Sequence, residues 1–179
     1  MTKRLTMALL LTAALLCSQA LAGPPVAGEV LPPLTIAPLA VEGDSAILGL
    51  KDNCVFTLAD IKTEYVLIEI LGVYCPVCRE MSSSLTRLYK RIRKARLDDR
   101  ITMLGIAAGA TPMEVRHVRP KDYVFPVAHD TEFEIHKALA EPKTPYTMIV
   151  DREGKVYYAH LGIIPDFNAF FQEIQNLVK

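Results

Sequence analysis

The sequence contains no tryptophan and no excess of either charge. Its 179 residues include 20 Lys and Arg and 20 Asp and Glu, so the formal net charge is zero. Proteins that bind nucleic acid need a basic surplus, and acidic disordered tails need the opposite. The composition therefore argues against both classes and predicts no nucleic-acid partner. Hydrophobic residues make up 51% of the chain, which is enough to bury the core of one domain.

Long apolar runs are also scarce, and the first of them has the features of an export signal. Lys3 and Arg4 precede an apolar run over residues 7–16, and Ala20-Leu21-Ala22 has the pattern of a signal peptidase site. We expect residues 1–22 to be a signal peptide, cleaved after Ala22, and the mature protein to be periplasmic or otherwise extracytoplasmic. If it stayed uncleaved, the segment would anchor the chain, although the run is short for a membrane span.

Cysteine is rare, with only four residues in the chain, and Cys17 would be lost with the signal peptide. Three cysteines are too few for a disulfide framework. Cys75 and Cys78 form a C-x-x-C pair, which favours a reactive dithiol. Cys54 alternates with Phe56 and Leu58, which predicts a small buried side chain; a third redox thiol is the alternative.

Proline and glycine mark residues 23–45 as an extended lead-in, followed by a domain over residues 46–179. Apolar runs and periodicity predict alternating strands and helices in this domain. The strands are predicted at 65–71, 101–107, 124–128, 146–150 and 155–160, and the helices at 76–95, 112–117, 132–139 and 167–178. This order predicts an α/β domain with a mixed sheet.

The placement of the C-x-x-C pair after a buried strand and before a helix gives its chemistry. At a helix N-terminus the first thiol meets free backbone N–H groups and the positive end of the helix dipole, which stabilise a thiolate. Cys75 would attack a partner's disulfide and Cys78 would resolve the mixed disulfide. Pro76 suits the first helical turn because it lacks an N–H. Half a zinc ribbon is the alternative, but no second C-x-x-C and no paired histidines follow, so we expect no metal and no cofactor beyond the dithiol.

Six short patterns occur in an order that resembles the thioredoxin superfamily, and within it the TlpA/ResA-like periplasmic thiol–disulfide oxidoreductases, or redoxin-domain proteins. They are Gly28-Glu29-x-x-Pro32, Phe56-Thr57-Leu58, Glu69-x₅-Cys75-Pro-Val-Cys78-Arg79, Phe125-Pro126-Val127-x-x-Asp130, Thr144-Pro145-x-Thr147 and Asp151-x-x-Gly154-Lys155-Val156. The sequence departs from the family at Tyr74, where most relatives have tryptophan, and at Ser82-Ser83-Ser84, which replaces a proline-rich segment.

The resemblance implies a thioredoxin-like three-layer α/β/α sandwich and a thiol:disulfide oxidoreductase. It implies that Glu69 is a buried carboxylate that moves a proton to and from the resolving thiol, which requires a raised pKa. It also places the Thr144–Pro145 bond, which we predict to be cis because Pro145 precedes a strand, beside the cysteines. The predicted substrate-contacting residues are Tyr74, Pro76, Val77, Thr144 and Pro145.

The sequence leaves the direction of electron flow open. Reductants of this family take electrons from a membrane donor and often serve cytochrome c maturation, and we expect this direction, with protein thiols and disulfides as partners and a monomeric protein. A copper-binding module on the same fold is the alternative, although such modules separate their cysteines by three residues. A peroxidase is a third possibility, but the Pro-x-x-x-Thr/Ser-x-x-Cys pattern is absent.

Overall fold

The computed structural model describes residues 23–179, so the predicted signal peptide lies outside the described residues. A five-stranded mixed sheet forms the centre of the domain. Its strands are β1 (Tyr65–Leu71), β2 (Ile101–Ala108), β3 (Val127–Asp130), β4 (Tyr146–Asp151) and β5 (Val156–Leu161). Their order is β3-β2-β1-β4-β5, in which β1, β2 and β3 are parallel and β4 is antiparallel to both of its neighbours.

Helices and the lead-in cover the two faces of the sheet. The helices are α1 (Asp44–Leu48), α2 (Pro76–Lys94), α3 (Pro112–Asp122), α4 (Glu134–Ala138) and α5 (Phe167–Leu177), with one 3-10 turn at Leu58–Asp60. Side chains of α2, α3 and α5 join one buried cluster, and those of the lead-in, α1 and α4 join the other. The predicted three-layer α/β/α architecture is confirmed. No helix of residues 23–179 combines the length and apolar character that crossing a membrane requires.

The central strand β1 is buried on both faces, which explains its almost continuous apolar sequence. Leu67 and Leu71 face the cluster that contains α2, whereas Ile68 and Ile70 face the opposite one. Burying each such side chain contributes roughly 1.5–3 kcal/mol. Glu69 is the one charged residue of β1, and it lies on the face that α2 covers.

The lead-in is extended but packs tightly against the domain. Leu31, Leu34 and Ile36 are buried in the second cluster, and Ile36 exchanges two backbone hydrogen bonds with Phe56. The boundary predicted between residues 45 and 46 falls inside α1 (Asp44–Leu48), a helix that the sequence analysis missed. This helix lies between two glycines with positive φ, and its first residue is held by a contact with α3.

The predicted strand and helix on either side of Asp130 have clearly different bounds in the structure. The strand predicted at 124–128 is β3 (Val127–Asp130), because Pro126 has no N–H to donate to the ladder and pairing begins at Val127 opposite Gly105. The helix predicted at 132–139 is shortened to α4, since Phe133 has a φ of 58° and the Asp130 carboxylate accepts hydrogen bonds from two backbone N–H groups of the first turn.

Helix α3 continues past its predicted end at His117 to Asp122, through an internal proline. Pro120 cannot donate to the carbonyl of Arg116, which weakens the helix at this point. The side chain of Arg119 offsets this loss. Its guanidinium donates two hydrogen bonds to the Asp44 carboxylate, of 3.1 and 2.8 Å, and a third to the carbonyl of Tyr123 at 2.7 Å. This contact joins α1 to α3.

Candidate functional site

The C-x-x-C motif and the Thr144–Pro145 loop meet at one edge of the sheet. Ile70, near the end of β1, lies opposite Tyr146, the first residue of the antiparallel β4. The segment that follows β1 and the segment that precedes β4 are therefore neighbours. The Cys75 thiol donates a long hydrogen bond of 3.7 Å to the carbonyl of Thr144. The Thr144–Pro145 peptide bond is cis, as predicted.

Cys75 is the N-cap residue of α2, and Pro76 occupies the first helical turn as predicted. The Cys75 sulfur is half-buried and accepts a hydrogen bond from the backbone N–H of Cys78 at 3.1 Å. Partial burial works against ionisation of this thiol. Hydrogen bonds from the side chain and backbone of Cys78, from the Thr144 side chain and from the Val77 backbone outweigh that effect, so the pKa of Cys75 is lowered.

Cys78 lies one turn further along α2 and is only 1% exposed. Burial raises the pKa of its thiol, and the hydrogen bond to Cys75 raises it further. Both cysteines are free thiols in the structure. The pair thus has one accessible sulfur that ionises readily and one buried sulfur that holds its proton.

Glu69 is buried on the face of β1 that packs against α2, as predicted for the buried carboxylate. Its pKa is raised to about 8. Burial is the main cause, the Thr147 hydroxyl lowers the pKa, and the negative charge of Cys75 adds to the rise. Thr147 donates to Oε2 at 2.6 Å. Oε1 is the one buried side-chain oxygen or nitrogen among residues 23–179 without a hydrogen-bond partner. Such a group can hold or release a proton in the pH range in which thiols react.

The predicted substrate-contacting residues surround Cys75. Tyr74 is 79% exposed and Val77 is 40% exposed, and Pro76 is exposed between the cysteines. Thr144 is half-buried, with its carbonyl against the Cys75 sulfur, and the adjacent Pro145 is buried. The structure therefore brings all five residues together with the dithiol.

Gly72 lies close to both Cys75 and Thr144. Its carbonyl accepts a hydrogen bond from the Cys75 N–H at 3.0 Å. A Cβ at this position would lie 3.3 Å from the Cβ of Cys75 and 3.6 Å from the Thr144 hydroxyl oxygen. A side chain at this position would therefore crowd Cys75, whereas the Thr144 hydroxyl would lie at an ordinary van der Waals distance.

Helix α3 borders the site. The helix was predicted from the sequence, but its contact with the site was not. The Tyr74 hydroxyl donates to Oε1 of Glu114 at 2.6 Å. Oε2 of Glu114 accepts from the backbone N–H and the hydroxyl of Thr111, so these two residues form a capping box. The Tyr74 hydrogen bond, followed by those from Thr111, lowers the pKa of Glu114 to about 2. The Thr-x-x-Glu spacing marks the helix start in the sequence, but nothing in it indicates the contact with Tyr74.

The prediction for Cys54 was wrong. Its side chain is exposed and lies in a bend, where its thiol contacts the carbonyl of Val55. The inward alternation begins only at Phe56, where pairing with Ile36 starts. Among residues 23–179, no three His, Cys, Asp or Glu side chains come together as a metal site requires.

Known proteins with sequences similar to this chain are named as thiol–disulfide oxidoreductases. The chain is 27% identical over 100 residues to the thiol-disulfide oxidoreductase ResA of Bacillus thuringiensis subsp. konkukian, and the match covers 55% of this chain and 56% of that protein. The chain thus matches little more than half the length of this relative.

Solved structures of low sequence identity share the fold. The thioredoxin domain of a thiol-disulfide oxidoreductase from Bacteroides vulgatus superposes with a TM-score of 0.65 at 18% identity, over 87% of this chain and 99% of that one. A thiol:disulfide interchange protein from Bacteroides sp. gives a TM-score of 0.61 at 17% identity, over 85% and 90% of the two chains. These likenesses confirm the thioredoxin-like fold.

A family model covers most of the domain that carries the site. It matches residues 44–159, a range that includes Glu69, both cysteines and the Thr144–Pro145 loop. Together with the ResA relative and the shared fold, this match confirms the predicted redoxin domain, and the chain belongs to the AhpC/TSA family.

Proposed function

We propose that the protein is an extracytoplasmic thiol–disulfide oxidoreductase that acts on protein disulfides through Cys75 and Cys78. The observation that carries this proposal is the inequality of the two thiols. The half-buried Cys75 has a lowered pKa, while the buried Cys78 has a raised one. A nucleophile must ionise and meet its partner, whereas a resolving thiol must stay protonated until the mixed disulfide exists.

The reaction proceeds in two balanced exchanges. The Cys75 thiolate attacks one sulfur of a partner disulfide, forms a mixed disulfide and releases the other sulfur as a thiolate. Cys78 then loses its proton, attacks the Cys75 sulfur and releases the second partner thiolate. Two electrons pass to the partner, and Cys75 and Cys78 become a disulfide that a donor must reduce again.

Glu69 serves as the proton acceptor for the second exchange. It is buried on the face of β1 whose neighbouring residues Leu67 and Leu71 pack in one cluster with Cys78, and its pKa of about 8 lets it take up and return protons near neutral pH. Thr144 offers its backbone to an extended partner segment, which would dock like an added strand while Cys75 attacks. The exposed side chains next to Cys75 would also contact this partner segment; they are those of Tyr74, Pro76 and Val77.

The proposed direction is reduction. The reductants that the chain resembles take electrons from a membrane donor and often serve cytochrome c maturation. By this resemblance the protein, acting as a monomer after export, would be reduced by a membrane donor and would in turn reduce the haem-site cysteines of cytochrome c. Equilibration of the dithiol with glutathione tests the direction: a reductant would have a potential well below −200 mV, whereas a strong oxidant would lie near −120 mV. Native mass spectrometry with copper(I) tests the copper-binding alternative.

The roles of the two thiols are tested by trapping. All variants carry Cys54→Ser, because the exposed Cys54 thiol would otherwise form mixed disulfides of its own. Cys75→Ser should abolish the reduction of insulin, and Cys78→Ser should accumulate a mixed disulfide at Cys75. Equal trapping by both variants would contradict the assignment, and an active Cys75→Ser variant would refute the proposed function.

A further inference from the structure

An open groove of about 390 Å³ lies between the segment after β1 and helix α3. Val73 and Tyr74 line one wall, and Met113 and Val118 line the other. Tyr74 directly precedes Cys75 in the chain, so one wall of the groove ends one residue from the attacking cysteine. Its volume is within the range of sites that bind small ligands or single side chains.

The walls of the groove expose large apolar side chains to solvent. Tyr74 is 79% exposed and Met113 is 72% exposed. Exposed apolar surface around a reactive centre is typical of a contact site, because water leaves it when a partner binds. The groove therefore favours an apolar occupant.

The charged groups of the groove do not favour a charged occupant, because one acidic and one basic side chain, Glu114 and Arg79, both line it. Both oxygens of Glu114 already accept hydrogen bonds, one from Tyr74 and the other from Thr111, so this carboxylate fixes the wall and has little capacity left for a new partner. Arg79 also lines the groove, and its side chain is exposed to solvent. A lysine side chain entering the groove would meet the positive charge of Arg79 and a carboxylate whose oxygens are already hydrogen-bonded, so it would lose water without gaining a free partner.

We propose that this groove is a specificity subsite for a large aliphatic or aromatic side chain next to the partner's target cysteine. The inference rests on the proposed disulfide exchange and adds the class of sequence that is exchanged fastest. A residue one or two positions from the target cysteine can reach the groove, because an extended chain advances about 3.3 Å per residue. The bound side chain places the partner disulfide against Cys75.

Short peptide disulfides that differ only in the residue next to cysteine test the subsite. The reduced protein should react with the leucine peptide about tenfold faster than with the glycine peptide, by the usual worth of a few buried methylenes, and slowest with the lysine peptide. Met113→Ser should remove most of the preference for leucine, and Met113→Leu should retain it. Val55→Ser is the matched control, since Val55 is 56% exposed and lies outside the groove.

A small disulfide without side chains, 2-hydroxyethyl disulfide, separates the two levels of the proposal. The wild-type protein and the Met113→Ser variant should reduce it at equal rates. Equal rates of the wild-type protein with all three peptides, or an unchanged leucine preference in Met113→Ser, would overturn the subsite alone. A wild-type protein that reduces neither the peptides nor the small disulfide would overturn the proposed function and the subsite with it.

Discussion

The Thr147 hydroxyl donates a 2.6 Å hydrogen bond to Oε2 of Glu69, its direct neighbour across β1 and β4. Both side chains are buried, and Oε1 of Glu69 has no partner among the described residues. The bond favours the ionised carboxylate, whereas burial favours the protonated acid. A pKa of about 8 is the balance of these opposing effects.

Replacing Glu69 by Gln should slow disulfide exchange without changing the fold, because the side chains have nearly the same shape. Loss of a positioned proton acceptor costs about 100-fold in rate. The rate of the wild-type protein should rise through pH 8, where Glu69 ionises, and the variant should lack this rise. Stopped-flow measurements with a model disulfide from pH 6 to 9 compare the two proteins. Equal rates of the variant and the wild-type protein over this range would exclude Glu69 as the proton acceptor.

The same substitution should change how stability depends on pH. The folded pKa of Glu69, about 8, lies above the ordinary value of 4.5, so the folded state binds more protons than the unfolded state between these values. The contribution of the protonated carboxyl is complete below pH 4.5 and is lost as pH rises towards 8. Between pH 5 and 8 the wild-type protein should lose roughly 3 kcal/mol relative to Glu69→Gln. Urea titrations of both proteins at the two pH values measure this difference, and parallel curves would contradict it.

Thr147→Val removes the hydrogen bond while keeping the volume of the side chain. Since that bond favours the ionised Glu69, its loss should raise the pKa of Glu69 further and move the rising part of the pH–rate profile upward by about one unit. Thr147→Ser retains a hydroxyl and should restore the wild-type profile. A merely structural role of Thr147 would lower the rate equally at all pH values, and the serine variant would then give no selective rescue.

Gly72→Ala tests the close approach of Cys75 and Thr144. The new Cβ would be 3.3 Å from the Cβ of Cys75, which is closer than ordinary van der Waals contact, so Cys75 must shift by a few tenths of an ångström relative to residue 72 and to Thr144. We expect exchange to slow about tenfold, because the reacting sulfur is misplaced. Thiolate absorbance against pH should show a higher pKa of Cys75, and wild-type absorbance and rates would mean that the segments move freely.

The buried pair of Asp44 and Arg119 should be important for stability. The side chains are 2% and 11% exposed, and Asp44→Asn would leave the guanidinium without its counterion, at a cost of about 3 kcal/mol in the free energy of unfolding. Glu64→Gln is the matched control: its partner is Arg100, both side chains are well exposed, and the loss should be under about 1 kcal/mol. Denaturant titration compares the two variants, and equal losses would disprove the special role of the buried pair.

The sequence predicted the elements whose residues interact locally. The bounds of β1 follow from a run of apolar residues, and the start of α2 follows from the Cys-Pro dipeptide, so both agree with the structure. Contacts between distant segments were missed. Helix α1 depends on Asp44 bonding to a residue 75 positions away, and the tyrosine before the motif bonds to Glu114, 40 positions away. The exposure of Cys54 likewise depends on where pairing with the lead-in begins.

The lead-in pairs with the outer strand of the sheet. The strand β5 is an edge strand, and such edges can pair with another molecule. Gly28 and Glu29 occupy both backbone groups of Val156 through hydrogen bonds of 2.8 Å, and Val30 bridges to Lys155. Residues 28–30 of the lead-in thus pair with the start of β5 and shorten the part of this strand that is open to another molecule. The lead-in therefore protects the protein against aggregation by edge-to-edge pairing of β5.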